Sequence, residues 1–271
     1  DTYRVRPRHE VARVSELLQS QLLQPLNLTP VQPQLAESTS VGIESSGAAA
    51  VSYNEFNPLF MRNRMALQGS IASGSNDTFG EELVYSALWN KMSVSVGQFY
   101  YQTDGTRENN DQQRQIYNGY IQGMLSPSDS IMAEVRHTRK EYGDLSLLFD
   151  ESLYSPTIRQ EDTGSSFRVG GRHDFQPGST LIGTAIVSAD ESDATGIREY
   201  DVSIDIGTEA DNVMAEVQHL YSGGKVRLQT GGGYVSADLT DYVNMGFPMD
   251  FRTEEEYRVD YAKIYGYAQI D

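Results

Sequence analysis

The feature that most constrains this chain is an alternation of apolar and polar residues that begins near residue 63 and recurs to the end. Within 65–71, Met65, Leu67 and Ile71 share one face and Gln68 lies on the other, because side chains alternate between the two faces of a strand. The segments with this pattern are 65–71, 81–90, 92–101, 113–125, 130–141, 165–175, 180–189, 212–221, 225–235 and 258–270. We therefore predict an all-β chain of about ten strands, each of about ten residues, a length that crosses a bilayer at a tilt.

The connections between these strands differ in length in a regular way. The short ones, rich in Pro, Gly, Ser or Asn, are 90–91, 126–129, 176–179 and 222–224. The long, acidic ones are 103–112, 142–164, 190–211 and 239–257. Short and long connections alternate if 190–211 is a single excursion, which we interpret as two strands prolonged above a membrane; an independent strand is the alternative. Short turns at one end and long loops at the other are typical of outer-membrane barrels, whereas a soluble β-sandwich places loops at both ends.

Composition excludes several other classes of protein. The 271 residues include no cysteine, which excludes a disulfide scaffold, a thiolate zinc site and a cysteine nucleophile. The formal net charge of −17 opposes broad nucleic-acid binding. The sequence contains no apolar run long enough for a transmembrane helix. The mean hydropathy of −0.48 resembles that of a soluble protein, but a barrel strand turns only every second residue to lipid and therefore stays polar on average.

The first 52 residues differ in texture from the remainder. A stripe of apolar residues at three- and four-residue steps predicts a helix over about 9–24 that ends before Pro25. The residues of this stripe are Val11, Val14, Leu17, Leu18 and Leu22. A Pro-rich passage and a Ser-, Gly- and Ala-rich stretch follow, which is linker composition. We predict a periplasmic N-terminal segment over 1–52 and an outer-membrane β-barrel over 53–271. The linker favours a tether, and a plug inside the barrel is the alternative.

Charged residues concentrate on one face of several strands, and small or aliphatic residues occupy the opposite face. A barrel with a water-filled lumen explains this arrangement, and so does a soluble sandwich whose charges face outward. In the barrel, the charged residues would line the lumen, where they set ion selectivity or pair with one another across strands. The candidate lumen residues are Glu134, Arg136, Lys140, Arg168, Arg172, Glu216, Lys225, Arg227 and Lys263.

The sequence offers little support for catalysis or for a cofactor. The four histidines are isolated from one another, and no Gly-x-Ser-x-Gly elbow is present. We therefore predict that the protein is not an enzyme. The loop 104–111 is rich in the oxygen ligands that calcium prefers, although a solvated loop is the simpler interpretation. The weak calcium candidates are Asp104, Glu108, Asn109 and Asp111.

Several short passages together resemble one family of proteins. These passages are RPRHEVAR (6–13), PVQPQL (30–35), NEFNPLF (54–60), GQFYYQTDG (97–105), RENND (107–111), YGDL (142–145) and AEVQHL (215–220). They resemble the barrel portion of bacterial outer-membrane proteins that carry tetratricopeptide repeats before the barrel and are grouped with porins and receptor-type barrels. The resemblance spans nearly the whole chain. It implies an antiparallel up-and-down transmembrane β-barrel with outer-membrane lipid as its surroundings, and a periplasmic repeat domain or another protein as a partner.

The resemblance carries over no catalytic residue, and no tetratricopeptide pattern occurs in the chain. The sequence ends at Ile270 and Asp271 without the terminal aromatic residue typical of barrels, so we predict that it is part of a larger barrel. The function we expect is a non-enzymatic channel, receptor or export conduit of the Gram-negative outer membrane, with long acidic extracellular loops. The alternatives are a surface-assembly protein that binds a partner or calcium through its loops, and a soluble all-β binding domain.

Overall fold

The structure, a computed structural model, is an all-β fold in the part of the chain that it describes. It describes residues 31–33, 56–58, 64–146, 153–199, 202–246 and 251–270. Among them, no helix is long and apolar enough to cross a membrane. The helix predicted over 9–24 and most of the predicted linker lie outside the described residues.

Two short strands and ten long ones make up the fold. β1 (Val31–Pro33) and β2 (Phe56–Pro58) form a separate antiparallel pair. The long strands are β3 (Arg64–Ser73), β4 (Phe79–Trp89), β5 (Met92–Thr103), β6 (Gln112–Met124), β7 (Asp129–Tyr142), β8 (Arg159–Gln176), β9 (Ser179–Glu199), β10 (Val202–Gly223), β11 (Val226–Met245) and β12 (Phe251–Ile270). All ten long strands were predicted from the alternation, and their existence is confirmed.

The ten long strands form a single antiparallel sheet in which the order along the sheet is the order along the chain. Each strand from β4 to β11 pairs with the strand before it and the strand after it. This is the up-and-down connectivity expected from the sequence. β3 and β12 form the two edges of the described sheet.

The strands lengthen along the chain. β3 to β7 contain 10 to 14 residues, whereas β8 to β12 contain 18 to 22. The segment 190–211 is not a loop, because β9 and β10 remain paired through almost all of it, with one register irregularity between Ile204 and Ile206. The interpretation as two prolonged strands is therefore confirmed, and their position above a membrane stays a prediction. The loop predicted over 239–257 is wrong in the same way, since β11 and β12 occupy most of it.

The connections alternate between the two ends of the sheet. One end carries the short turns 90–91, 125–128, 177–178 and 224–225, and the strand ends joined by the other connections, those after β3, β5, β7, β9 and β11, lie at the opposite end. Several short turns need a left-handed residue, as at Asn90 and Gly178. A Cβ added to Gly178 would lie 2.1 Å from the carbonyl oxygen of Ser222, so this turn requires glycine.

Candidate functional site: the charged face of the sheet

The two faces of the sheet have the opposite burial to that of a water-soluble protein. On β7, Glu134 is 1% exposed, while its neighbour Val135 is 54% exposed. On β10, Glu216 is 1% exposed and Val217 is 53% exposed. A soluble antiparallel sheet turns its apolar face to the core and its polar face to water. Here the face that carries the charges is the covered one, together with buried apolar residues such as Ile182 and Met214, and the aliphatic face is the open one.

The aliphatic face forms a continuous belt across all ten long strands. Exposed members include Met65, Leu67, Leu83, Val96, Ile121, Ile131, Val135, Phe167, Val169, Val187, Val213, Val217, Val226 and Ile264. Towards the short turns the belt ends at exposed aromatic side chains, among them Trp89, Phe175 and Tyr221. Towards the long connections it ends at polar residues such as Ser165 and Asp211. An apolar band with an aromatic rim is the outer surface of a transmembrane β-barrel, and exposed apolar patches of this extent mark an apolar partner.

A buried ion pair occupies the centre of the charged face. Glu134 on β7 and Arg168 on β8 lie directly opposite each other. Arg168 Nη2 donates a hydrogen bond to Glu134 Oε2, and both side chains are almost fully buried. Asn118 Nδ2 on β6 donates to the other carboxylate oxygen, Oε1, at 2.8 Å. The three side chains therefore join β6, β7 and β8, and Arg136 lies buried on the same face.

A second polar cluster joins β10 to β12 across two glycines of β11. Tyr265 donates its hydroxyl hydrogen to Glu216 Oε1 at 2.5 Å, and Lys263 Nζ lies 3.4 Å from the same oxygen. Gln218 Nε2 donates to the Tyr265 hydroxyl at 2.7 Å. Gly231 lies beneath this ring, because a Cβ added there would come within 2.5 Å of the Tyr265 hydroxyl. Because Gly231 on β11 has no side chain, Tyr265 on β12 can reach across β11 and contact Glu216 on β10.

The remaining predicted lumen residues lie near the two ends of the charged face. Lys140 is half-buried towards the long connections, with its ammonium 4.2 Å from the centroid of the Tyr142 ring. Arg172 lies near the short turns and pairs with Asp174 at 2.5 Å. Arg227 is exposed on the first residues of β11. Lys225 does not belong to the sheet as the alternation suggested: it lies in the turn 224–225, because β11 begins one residue later.

Sequence reasoning missed several members of the charged face. Arg114, Asn118 and Gln122 on β6 are all buried there, and so is Gln218 on β10. Each lies on the same face of the sheet as a residue that was predicted. For the residues of β6, the pairing with β7 places them on the face of Glu134. Their alternate positions along each strand were therefore the signal that could have identified them. The prediction passed over the uncharged amides, and it also omitted Arg114, a charged residue near the start of β6.

The loop 104–111, which contains the weak calcium candidates, is held in place by hydrogen bonds to other residues. Both carboxylate oxygens of Asp111 accept hydrogen bonds from Arg159 Nη1, at 2.6 and 2.8 Å. Asn109 Nδ2 donates to the carbonyl oxygens of Ser155 and Ile158, each at 2.8 Å. Asp104 and Glu108 point to solvent. Among the residues that the structure describes, no three His, Asp or Glu side chains come together as metal ligands would. Calcium binding stays a prediction.

The loop 104–111 and the described residues of the next long connection, 143–146 and 153–158, contact each other in what we call the loop clasp. The Arg107 guanidinium lies 3.6 Å from the centroid of the Tyr154 ring, and its Nη2 donates to the Asp144 carbonyl oxygen at 2.6 Å. Burial raises the pKa of the Asp144 carboxyl, but hydrogen bonds from Ser146 and Ser155 outweigh it and hold that pKa below its usual value. The clasp brings together two of the passages, 107–111 and 142–145, that carry the family resemblance.

Comparisons with known proteins bear on the fold. No protein-family model matches the chain, and no curated protein matches it. Among solved structures, BauA, the ferric preacinetobactin receptor of Acinetobacter baumannii, aligns with a TM-score of 0.50 at 8% identity over 70% of this chain and 33% of that one. The RagAB peptide transporter aligns with a TM-score of 0.49 at 10% identity, over 70% and 29%. The chain thus spans about a third of the length of these proteins. The likeness to BauA shows that the sheet has the fold of an outer-membrane β-barrel wall; the tetratricopeptide association stays a prediction.

Proposed function

We propose that the chain is the membrane-embedded wall of a non-enzymatic β-barrel channel or receptor in the outer membrane of Gram-negative bacteria. The observation that carries this proposal is the inverted burial of the two faces. A belt of aliphatic side chains is stable when it faces lipid tails, and a covered charged face is stable when it borders a water-filled lumen. The short turns would then lie in the periplasm and the long connections outside the cell.

The charged face would act as the lining of a conduit for hydrated solutes. Glu134 pairs with Arg168 on the neighbouring strand, and Glu216 pairs with Lys263 across β11. These pairs would give the lining a fixed shape and a mixed sign of charge. A ring of charges of one sign selects ions of the opposite sign, so a lining of mixed sign should discriminate little between cations and anions. We expect weak ion selectivity, with transport or ligand capture decided by the shape and hydrogen-bonding groups of the lining.

A surface-assembly protein is the second candidate. The observation that favours it is the extension of β8 to β12 beyond the aliphatic belt, which builds a rigid wall outside the membrane that a partner could contact. A soluble all-β domain is opposed by the inverted burial, since such a domain would expose its belt to water. Conductance in a planar bilayer separates the two membrane hypotheses, because a sealed barrel passes no current.

The lack of cysteine permits a direct test of the membrane assignment. We would introduce single cysteines as Ile264→Cys, on the aliphatic face of β12, and Tyr261→Cys, on the charged face of the same strand. With the protein in lipid vesicles, a charged, water-soluble maleimide should modify Tyr261→Cys and spare Ile264→Cys, while a lipid-soluble maleimide should modify Ile264→Cys. Equal modification of both variants by the charged reagent would contradict the proposal.

A further inference from the structure

A cavity of about 420 Å³ lies on the charged face near the short turns, where β9, β10, β11 and β12 run side by side. Its lining on that face includes Thr180, Ser222, Arg227, Gln229, Tyr267 and Gln269. The strand register explains why these groups meet. Gln229 lies directly opposite Tyr267, and Arg227 lies directly opposite Gln269. The cavity belongs to the face that the proposed function assigns to the lumen, but the ion pairs described above do not line it.

The aromatic ring in this cavity belongs to β12, an edge strand of the described sheet, and has a second aromatic ring as its neighbour. Tyr267 is 66% exposed, and its ring centroid lies 5.9 Å from that of Tyr265, with the planes inclined by 44°. Tyr265 is itself fixed by its hydrogen bonds with Glu216 and Gln218. The cavity therefore contains a tyrosine ring beside a second tyrosine that is fixed by hydrogen bonds. The planar polar groups of Gln229, Gln269 and Arg227 surround it.

We propose that this cavity binds a pyranose unit of a saccharide. A pyranose has an apolar side of C–H groups, which packs on the face of an aromatic ring, and a rim of hydroxyls, which exchange hydrogen bonds with amide and guanidinium groups. Tyr267 supplies the first contact, and Gln229, Gln269 and Arg227 supply the second. The volume is within the usual range for small-molecule sites.

Other ligand classes match this lining less well. Within the described lining there is no carboxylate to hold a cation. A purely aliphatic ligand would cover the polar groups of this lining without offering them hydrogen bonds, which costs binding free energy. The inference rests on the proposed function in one respect, namely that the charged face borders the lumen. It adds the class of ligand that would bind within that lumen.

Calorimetric titration of the full chain, in a detergent without a sugar headgroup, tests the saccharide site. The probes are maltohexaose, which is neutral, and hexagalacturonate, which is acidic. We expect saturable binding of at least one of them. Tyr267→Ala should weaken that binding by at least about tenfold, whereas Tyr267→Phe, which keeps the ring, should stay within about threefold of the parent. The matched control is Tyr234→Ala, which removes an exposed tyrosine from the aliphatic face of β11.

Three results would overturn the saccharide site: neither hexasaccharide binds, Tyr267→Ala binds like the parent, or Tyr234→Ala loses as much affinity as Tyr267→Ala. The retained ring of Tyr267→Phe guards against a loss that comes from misfolding. The outcome is separable from the membrane test. Failure to bind sugar, with Ile264→Cys still protected in vesicles, removes the saccharide site alone. Modification of Ile264→Cys from water removes the membrane assignment and, with it, the statement that the cavity borders a lumen.

Discussion

At the scale of single residues, the Glu134–Arg168 pair is the strongest determinant of the sheet's centre. Both side chains are buried, so removing one partner leaves a charge without compensation in a covered site. Glu134→Ala or Arg168→Met should each lower the free energy of unfolding by about 3–5 kcal/mol. The double variant Glu134→Met with Arg168→Met should recover most of that loss, since it removes both charges. Urea unfolding in lipid vesicles measures all three.

The turn residue Lys225 supplies the control for this prediction. It carries a charge but lies outside the strands, so Lys225→Ala should change stability by less than about 0.5 kcal/mol. A double variant that is less stable than either single variant would show that the pair is not what holds these strands. In that case, side-chain volume, rather than charge, would dominate the centre of the charged face.

Gly231 is the second residue whose identity the geometry demands. Its missing side chain makes room for the Tyr265 ring, and an added Cβ would also lie 2.8 Å from the Val217 carbonyl oxygen. Gly231→Ala should therefore destabilise the protein by about 1–3 kcal/mol, as overpacking does. The matched control is Gly123→Ala on β6, where an added Cβ meets nothing within 4 Å. Equal effects of the two substitutions on urea unfolding would contradict the argument.

At the scale of strands, the sequence predicts the strand positions well inside the aliphatic belt and poorly beyond it. Val187 and Val213 alternate with buried neighbours, and the strands that contain them were found. Past Ala189, residues such as Glu191 and Ser192 are polar on both faces, so the hydrophobic period disappears although the strand continues. The strands continue there because their backbones pair with the neighbouring strand. This pairing cannot be read from the sequence of a single segment. The predicted strands therefore ended too early in β9 and β11 and began too late in β8, β10 and β12.

The extension beyond the belt should respond to pH. Glu191 on β9 lies directly opposite Glu209 on β10, and repulsion from Asp193, together with burial and the charges of Glu209 and Glu161, raises the pKa of the Glu191 carboxyl. A carboxyl whose folded pKa exceeds its unfolded value destabilises the fold when it is ionised, and this penalty is relieved as pH falls through the folded pKa. Tyr242 also contacts this cluster, through a 2.5 Å hydrogen bond to Asp193.

We therefore expect the tips of β9 and β10 to exchange amide hydrogens more slowly at about pH 5 than at about pH 7.5, after correction for the intrinsic rate. Glu191→Gln removes the titrating charge, so this variant should show slow exchange at both pH values. Exchange at the tips that is faster in acid, in the parent protein, would contradict the sign of the effect. Amides near Val217, inside the belt, provide the internal reference.

At the scale of the whole molecule, the sequence could indicate that two chemically different faces exist, but not which of them is covered. Glu134 and Val135 alternate in the same way in a soluble sandwich and in a membrane barrel, so periodicity alone left both open. Burial in the assembled sheet separates them. The cluster of Glu216 with Tyr265 was likewise beyond the sequence, because these residues are 49 positions apart and meet only across a third strand.

The position of the belt makes a prediction about depth. Val217 lies in its middle, opposite glycines on both neighbouring strands, while Ala189 lies at its upper edge beside Ser165 and Asp211. In a bilayer, Val217→Arg should cost about 2–4 kcal/mol of folding free energy, and Ala189→Arg about 0–1 kcal/mol, because the cost of an outward-facing charge falls towards the membrane surface. In a soluble sheet both exposed positions would accept arginine with changes below about 0.5 kcal/mol. Folding titrations in lipid vesicles therefore distinguish the two states, and equal tolerance of both arginines would remove the membrane assignment.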